Sequence, residues 1–103
     1  MSQGDEGDDA GPADATVRRT VSICNRRGLH ARAAAKFVKL AAQYDAEIEV
    51  RRNDMAVSGQ SIMGLMMLAA GPGCSVTLCA SGPQAADAVE TLVELITRKF
   101  DED

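Results

Sequence analysis

From Val17 onward, apolar and polar residues are distributed with a period that changes along the chain. Val17, Arg19, Val21 and Ile23 alternate with Arg18, Thr20, Ser22 and Cys24, a period of two that predicts a strand with one mostly apolar face. After a loop at residues 25–28 the period becomes helical. Ala34, Phe37, Val38 and Ala41 fall at i, i+3, i+4 and i+7, so residues 31–43 are expected to form a helix with Lys36 and Lys39 outside its stripe. Ala46, Ile48 and Val50 then alternate with Glu47, Glu49 and Arg51 as a second strand. Asn53-Asp54 turns the chain into a short third strand at residues 55–57. Ser61 stands as an N-cap before a nearly all-apolar run, residues 62–70, expected to be a helix that stops at Gly71-Pro72-Gly73. Residues 75–80 form a fourth strand with Val76, Leu78 and Ala80 on one face. Ser81-Gly82-Pro83 leads into a last helix that buries Ala85, Val89, Leu92 and Ile96, with Pro83 in its first turn. The order β-α-β-β-α-β-α has too few helices to cover two faces of a sheet. It predicts an α+β fold, an open-faced sandwich in which three helices pack on one side of a four-stranded antiparallel sheet.

Charge divides the chain into three parts. The net charge of its 103 residues is −4, yet Asp5, Glu6, Asp8, Asp9 and Asp14 precede residue 17 with no base, and Asp101, Glu102 and Asp103 follow residue 100. Without these eight acids, residues 17–100 carry +4. Residues 1–16 are expected to be a disordered acidic tail, 17–100 one folded domain and 101–103 an acidic end. With 46% apolar but only 3% aromatic residues, the core must be aliphatic.

Several function classes fall away. Three cysteines without CxxC spacing and a single histidine argue against a zinc site or a disulfide framework, and so against a metal or redox protein. The cysteines are expected to be small, buried or half-buried residues in a reducing compartment. The acidic start does not resemble a signal peptide, and no apolar run approaches the roughly 20 residues of a membrane helix. A soluble, cytoplasmic protein with no membrane association is expected. There is no GxxxxGK[ST] loop and no carboxylate cluster for magnesium, so neither a nucleotide, a metal nor another cofactor is expected.

The candidate chemistry lies in Gly28-Leu29-His30-Ala31-Arg32-Ala33-Ala34-Ala35, where the only histidine stands at a strand-to-helix junction. The first amides of a helix lack intrahelical partners and favour anions. Arg32, close by, has donors shaped for phosphate. An imidazole nitrogen there can attack an activated phosphoryl donor and later release the group, which is the chemistry of a carrier. Ser61 is a second candidate: its ordinary role is the N-cap, and its functional one is regulatory phosphorylation at a helix start. The short helix after it cannot bury every side, so Ile62, Met63, Leu65 and Met66 are expected to contribute to an exposed patch for partner docking. Arg26, Arg27, Arg32, Lys36 and Lys39 would surround that patch. Without an aromatic stacking platform, this points to acidic protein partners and not to nucleic acid.

With Gly28-Leu29-His30-Ala31-Arg32 and, about thirty residues later, Ser61-Ile62-Met63-Gly64-Leu65-Met66, residues 17–100 resemble the HPr phosphocarriers of the bacterial phosphoenolpyruvate-dependent phosphotransferase system. The resemblance implies a non-enzymatic carrier with the open-faced sandwich described above. His30 would be phosphorylated on Nδ1 by enzyme I and would donate to IIA-type proteins, with Arg32 beside the phosphate. Ser61 would be the serine that HPr kinase/phosphorylase modifies, and Ile62, Met63 and Leu65 would belong to the docking patch. Two positions depart from the pattern: Ala33 where the family usually has proline, and Gln60 where it often has lysine. The other readings are a member of the nitrogen-related regulatory branch and an adaptor that binds regulators without turnover at the histidine. A carrier that shows one face to successive partners is expected to be a monomer.

Overall fold

A computed structural model describes residues 16–102, so residues 1–15 of the expected acidic tail and Asp103 lie outside the described residues. The elements are β1 (Val17–Ser22), α1 (Ala31–Ala41), β2 (Glu47–Arg52), β3 (Met55–Ser58), α2 (Ile62–Met67), β4 (Ser75–Ser81) and α3 (Ala85–Thr97), followed by a 3-10 turn at Lys99–Asp101. The four strands form one sheet in the order β1-β4-β2-β3, with every neighbouring pair antiparallel. Register follows from the apolar rows. Val17 stands opposite Ala80, which faces Ile48 on its other side, and Val50 lies between Leu78 and Val57. A slip of one residue would turn all of these out of the core.

These rows and the three helices enclose a mainly aliphatic core on one face of the sheet. Phe37, Leu65, Leu68, Leu78, Leu92 and Ile96 are among its fully buried side chains. The other face is mostly polar: Thr20 pairs with Thr77 across the strands at 3.0 Å, and Arg51 donates to Glu49 at 2.6 Å. No helix among the described residues is long and apolar enough to cross a membrane.

The structure corrects several expectations. Helix α2 ends at Met67 instead of Ala70, because Ala69 turns left-handed (φ 53°) and the amides of Leu68 and Ala69 close back on Leu65 and Met66. This sharp exit buries Leu68 and Ala70. Helix α1 stops at Ala41, and α3 begins at Ala85, so Pro83 belongs to the preceding turn and not to the first helical turn. The first ladder ends at Ser22, although Ile23 still donates to the Cys74 carbonyl at 2.8 Å. All three cysteines are free. Cys79 is buried and Cys74 partly so, whereas Cys24 is exposed past the end of β1, where its thiol donates to the Ile96 carbonyl at 3.4 Å.

Candidate functional site

His30 is the N-cap residue of α1, with extended backbone (φ −76°, ψ 178°), and its carbonyl accepts the first helical bond from Ala34 at 2.8 Å. The amides of the first turn receive no side-chain cap, and the turn contains no acidic residue. The helix start therefore retains its donors and its positive end for an anion. Ala33, where the family's proline is absent, is fully buried in that turn, and the helix begins at Ala31 without it. Gly28 makes the approach to His30 possible. It is left-handed (φ +65°), and Leu29 beside it donates to the Ala70 carbonyl at 3.0 Å, which ties the histidine loop to the exit of α2.

The imidazole is mostly buried and faces a residue that sequence reasoning left in an acidic tail. His30 Nε2 lies 2.8 Å and 3.0 Å from the two carboxylate oxygens of Glu102. A nitrogen this close to a carboxylate must carry its proton toward it, which leaves the lone pair of a neutral ring on Nδ1. Asn25 supports the pair. It is the single buried polar residue among the described residues, and its Nδ2 donates to Glu102 and to the Gly28 carbonyl, both at 2.9 Å. Its Oδ1 has no partner among the described residues. The two acceptors of Nδ2 set the orientation of the amide. The hydrogen bond from Asn25, and after it that from His30, hold the Glu102 carboxyl below the usual carboxylate range.

Glu102 reaches the histidine because the chain reverses after α3. Lys99, Phe100 and Asp101 all have positive φ (61°, 54° and 62°) in a segment without glycine. Left-handed backbone costs about 1 kcal/mol per residue. Complete burial of Phe100, worth about 2–3 kcal/mol, and two side-chain contacts offset it. Lys36 donates to the Phe100 carbonyl at 2.7 Å, and Arg98 donates to Asp101 at 2.9 Å. Phe100 was absent from the expected core, since nothing in the local pattern marks a single aromatic residue beyond a helix.

The remaining predicted site residues separate into surface and scaffold. Arg26, Arg27 and Arg32 are exposed near His30, and Arg32 lies two residues into α1. Lys36, expected on the partner face, is committed to the C-terminal turn. Ser61 caps α2 by accepting from Gly64 at 2.9 Å. Ile62, Met63 and Met66 are exposed, but Leu65 is not: it points into the core at 0% exposure, because the inner side of α2 packs against α1. Leu65 therefore leaves the expected docking patch.

An open-faced sandwich that presents a partly accessible histidine at a bare helix start has the arrangement a phosphoryl carrier needs. The comparisons with known proteins agree. A model of the family described as "PTS HPr component phosphorylation site" matches residues 17–98. The phosphocarrier protein HPr of Pseudomonas aeruginosa is 51% identical over 83 residues, covering 80% of this chain and 92% of the relative. The phosphocarrier protein NPr of Shewanella violacea is 43% identical over 86 residues, covering 84% and 94%. The crystal structure of an HPr from Thermoanaerobacter tengcongensis, 40% identical, superposes with a TM-score of 0.81 over 84% of this chain and 98% of that one. The chain belongs to the HPr phosphocarrier family of the phosphotransferase system.

Proposed function

We propose that His30 is the phosphoryl acceptor and that Nδ1 is the attacking atom. The observation that carries this is the Glu102 carboxylate on Nε2. When Nδ1 attacks the phosphorus of a phosphohistidine donor, a P–N bond forms as the donor's P–N bond breaks, and the ring of His30 becomes an imidazolium. Its positive charge then lies against Glu102, and no proton has to move during transfer. The phosphoryl dianion meets the uncapped amides of α1, with Arg32 available as a second cation. The resulting phosphoramidate is readily passed on, as a stoichiometric carrier requires.

The donor is phospho-enzyme I and the acceptors are IIA-type proteins, as membership of the family implies. They dock on a face to which we assign the exposed Arg26, Arg27 and Arg32 together with Ile62, Met63 and Met66. Ser61 is the regulatory position. A phosphate on it would place a dianion within this face, at a helix start that favours negative charge. The protein acts in the cytoplasm as a monomer, and as a carrier, not an enzyme.

Incubation with phosphoenolpyruvate, magnesium and an active enzyme I tests this reading. Intact mass should show one added phosphate that is lost in mild acid and never appears on His30→Ala. Absence of the phosphate from the unaltered chain would refute transfer at His30 and favour an adaptor.

A further inference from the structure

The methionines among the described residues are not where packing would put them. The described residues contain four, Met55, Met63, Met66 and Met67, and every one is at least 40% exposed, while the core contains none. Filling irregular gaps in a core, the usual task of this flexible side chain, is therefore not their role. They also share one side of the molecule. Met63, Met66 and Met67 stand at i, i+3 and i+4 on α2. Met55 is opposite Arg52, whose guanidinium reaches over to the Leu68 carbonyl at the end of that helix at 2.9 Å. Its strand neighbour Val57 packs under Gly64 of α2. The thioethers thus lie beside Ile62 on one side of the molecule and make an oxidisable surface.

We propose that this surface is a site of reversible oxidation, with Met63 and Met67 the first to react. It rests on the reading that the α2 face docks the phosphoryl donor. A thioether sulfur gives an electron pair to one oxygen of hydrogen peroxide. The S–O bond forms as the O–O bond breaks, the other oxygen leaves as water, and the sulfur is oxidised by two electrons to a sulfoxide. The reverse step consumes a dithiol as reductant and is the chemistry of methionine sulfoxide reductases. A sulfoxide is a strong acceptor in place of an apolar group. Each one covered by a partner without a matching donor weakens docking by about tenfold. His30, on another helix with its carboxylate partner, keeps its chemistry. Oxidation therefore raises KM for the carrier and leaves the rate at saturation near its original value.

The test uses the full chain treated with dilute hydrogen peroxide and then dithiothreitol, which reverses thiol oxidation at Cys24 but leaves sulfoxides. Peptide mapping should find oxygen on Met63 and Met67 before Met66 and Met55, following their exposures of 75%, 66%, 43% and 40%. Phosphorylation by phospho-enzyme I should then show KM raised about tenfold for each sulfoxide the partner covers, with kcat preserved, and a methionine sulfoxide reductase with dithiol should restore it. The triple change Met63→Leu, Met66→Leu and Met67→Leu, compared with its own untreated rate, should lose the response to peroxide. Oxidation of Met63 and Met67 no faster than that of Met66 and Met55 would overturn the site. Full oxidation with unchanged KM would overturn the switch while leaving His30 as acceptor. If the untreated chain accepts no phosphate, the docking reading itself fails and the switch falls with it.

Discussion

Gly28 is where the histidine loop can be broken with the least chemistry. In Gly28→Ala the new Cβ would overlap the Ala70 carbonyl oxygen and lie 2.8 Å from Gly71 Cα, and both obstacles are backbone. Ordinary carbon contacts begin near 3.5 Å, so the two segments must separate by about 0.7 Å or more. That movement stretches the bond from Leu29 to Ala70, now 3.0 Å, and forfeits about 1 kcal/mol. The left-handed φ of +65° costs alanine about another 1 kcal/mol. Overpacking adds about 1–3 kcal/mol, for a total of about 3–5 kcal/mol. Gly73→Ala provides an internal reference: its φ is +89°, but nothing lies within 4 Å of the new Cβ, so it should lose only about 1 kcal/mol. Thermal unfolding followed by circular dichroism should place Tm of Gly28→Ala about 10 °C or more below that of Gly73→Ala. Phosphorylation of His30, two residues away, should slow in Gly28→Ala alone. If the two variants unfold within about 1 kcal/mol of each other, the collision is not real and the tie between the histidine loop and α2 is unimportant.

Two further predictions concern the site. Because Glu102 has a lowered pKa in the folded protein, its contacts stabilise the fold above the ordinary carboxylate range, and the stabilisation is lost as pH falls through the lowered value. Urea unfolding should therefore show Glu102→Gln less stable than the unaltered chain by about 1 kcal/mol at pH 7, solvent at its edge being allowed for, with the gap closing toward pH 3; a gap independent of pH would refute this. Ser61→Ala should lose about 1 kcal/mol with its cap, whereas Ser61→Asp should keep the cap but slow transfer from enzyme I by adding charge to the docking face; equal stability of both variants would contradict the capping role.

Much of this protein was legible without coordinates, and for local reasons. Alternation in β1, β2 and β4, helical spacing in α1 and α3, and the Asn53-Asp54 turn are short-range signals, and together they define the open-faced sheet. Ser61 was readable as a cap because capping needs only its own residue and the next three. His30 and Arg32 were readable because a histidine at the first turn of a helix without acids has an evident use.

What the chain's order could not convey depends on contacts between distant residues. Leu65 looks like its exposed neighbours in an all-apolar run, and only the packing of α2 on α1 turns it inward. Lys36 looks like a solvated base until the Phe100 carbonyl is brought beside it. Glu102 shows this most clearly. It is 72 residues from His30, in what reads as an acidic end, and it reaches the imidazole through three left-handed residues that no glycine announces. Sequence by itself determined most of the elements and the family and singled out the histidine we propose as acceptor, because periodicity, caps and motifs act over a few residues. Only the tertiary structure supplies the contact from which we infer the reacting atom, because burial of Phe100 places the Glu102 carboxylate on Nε2.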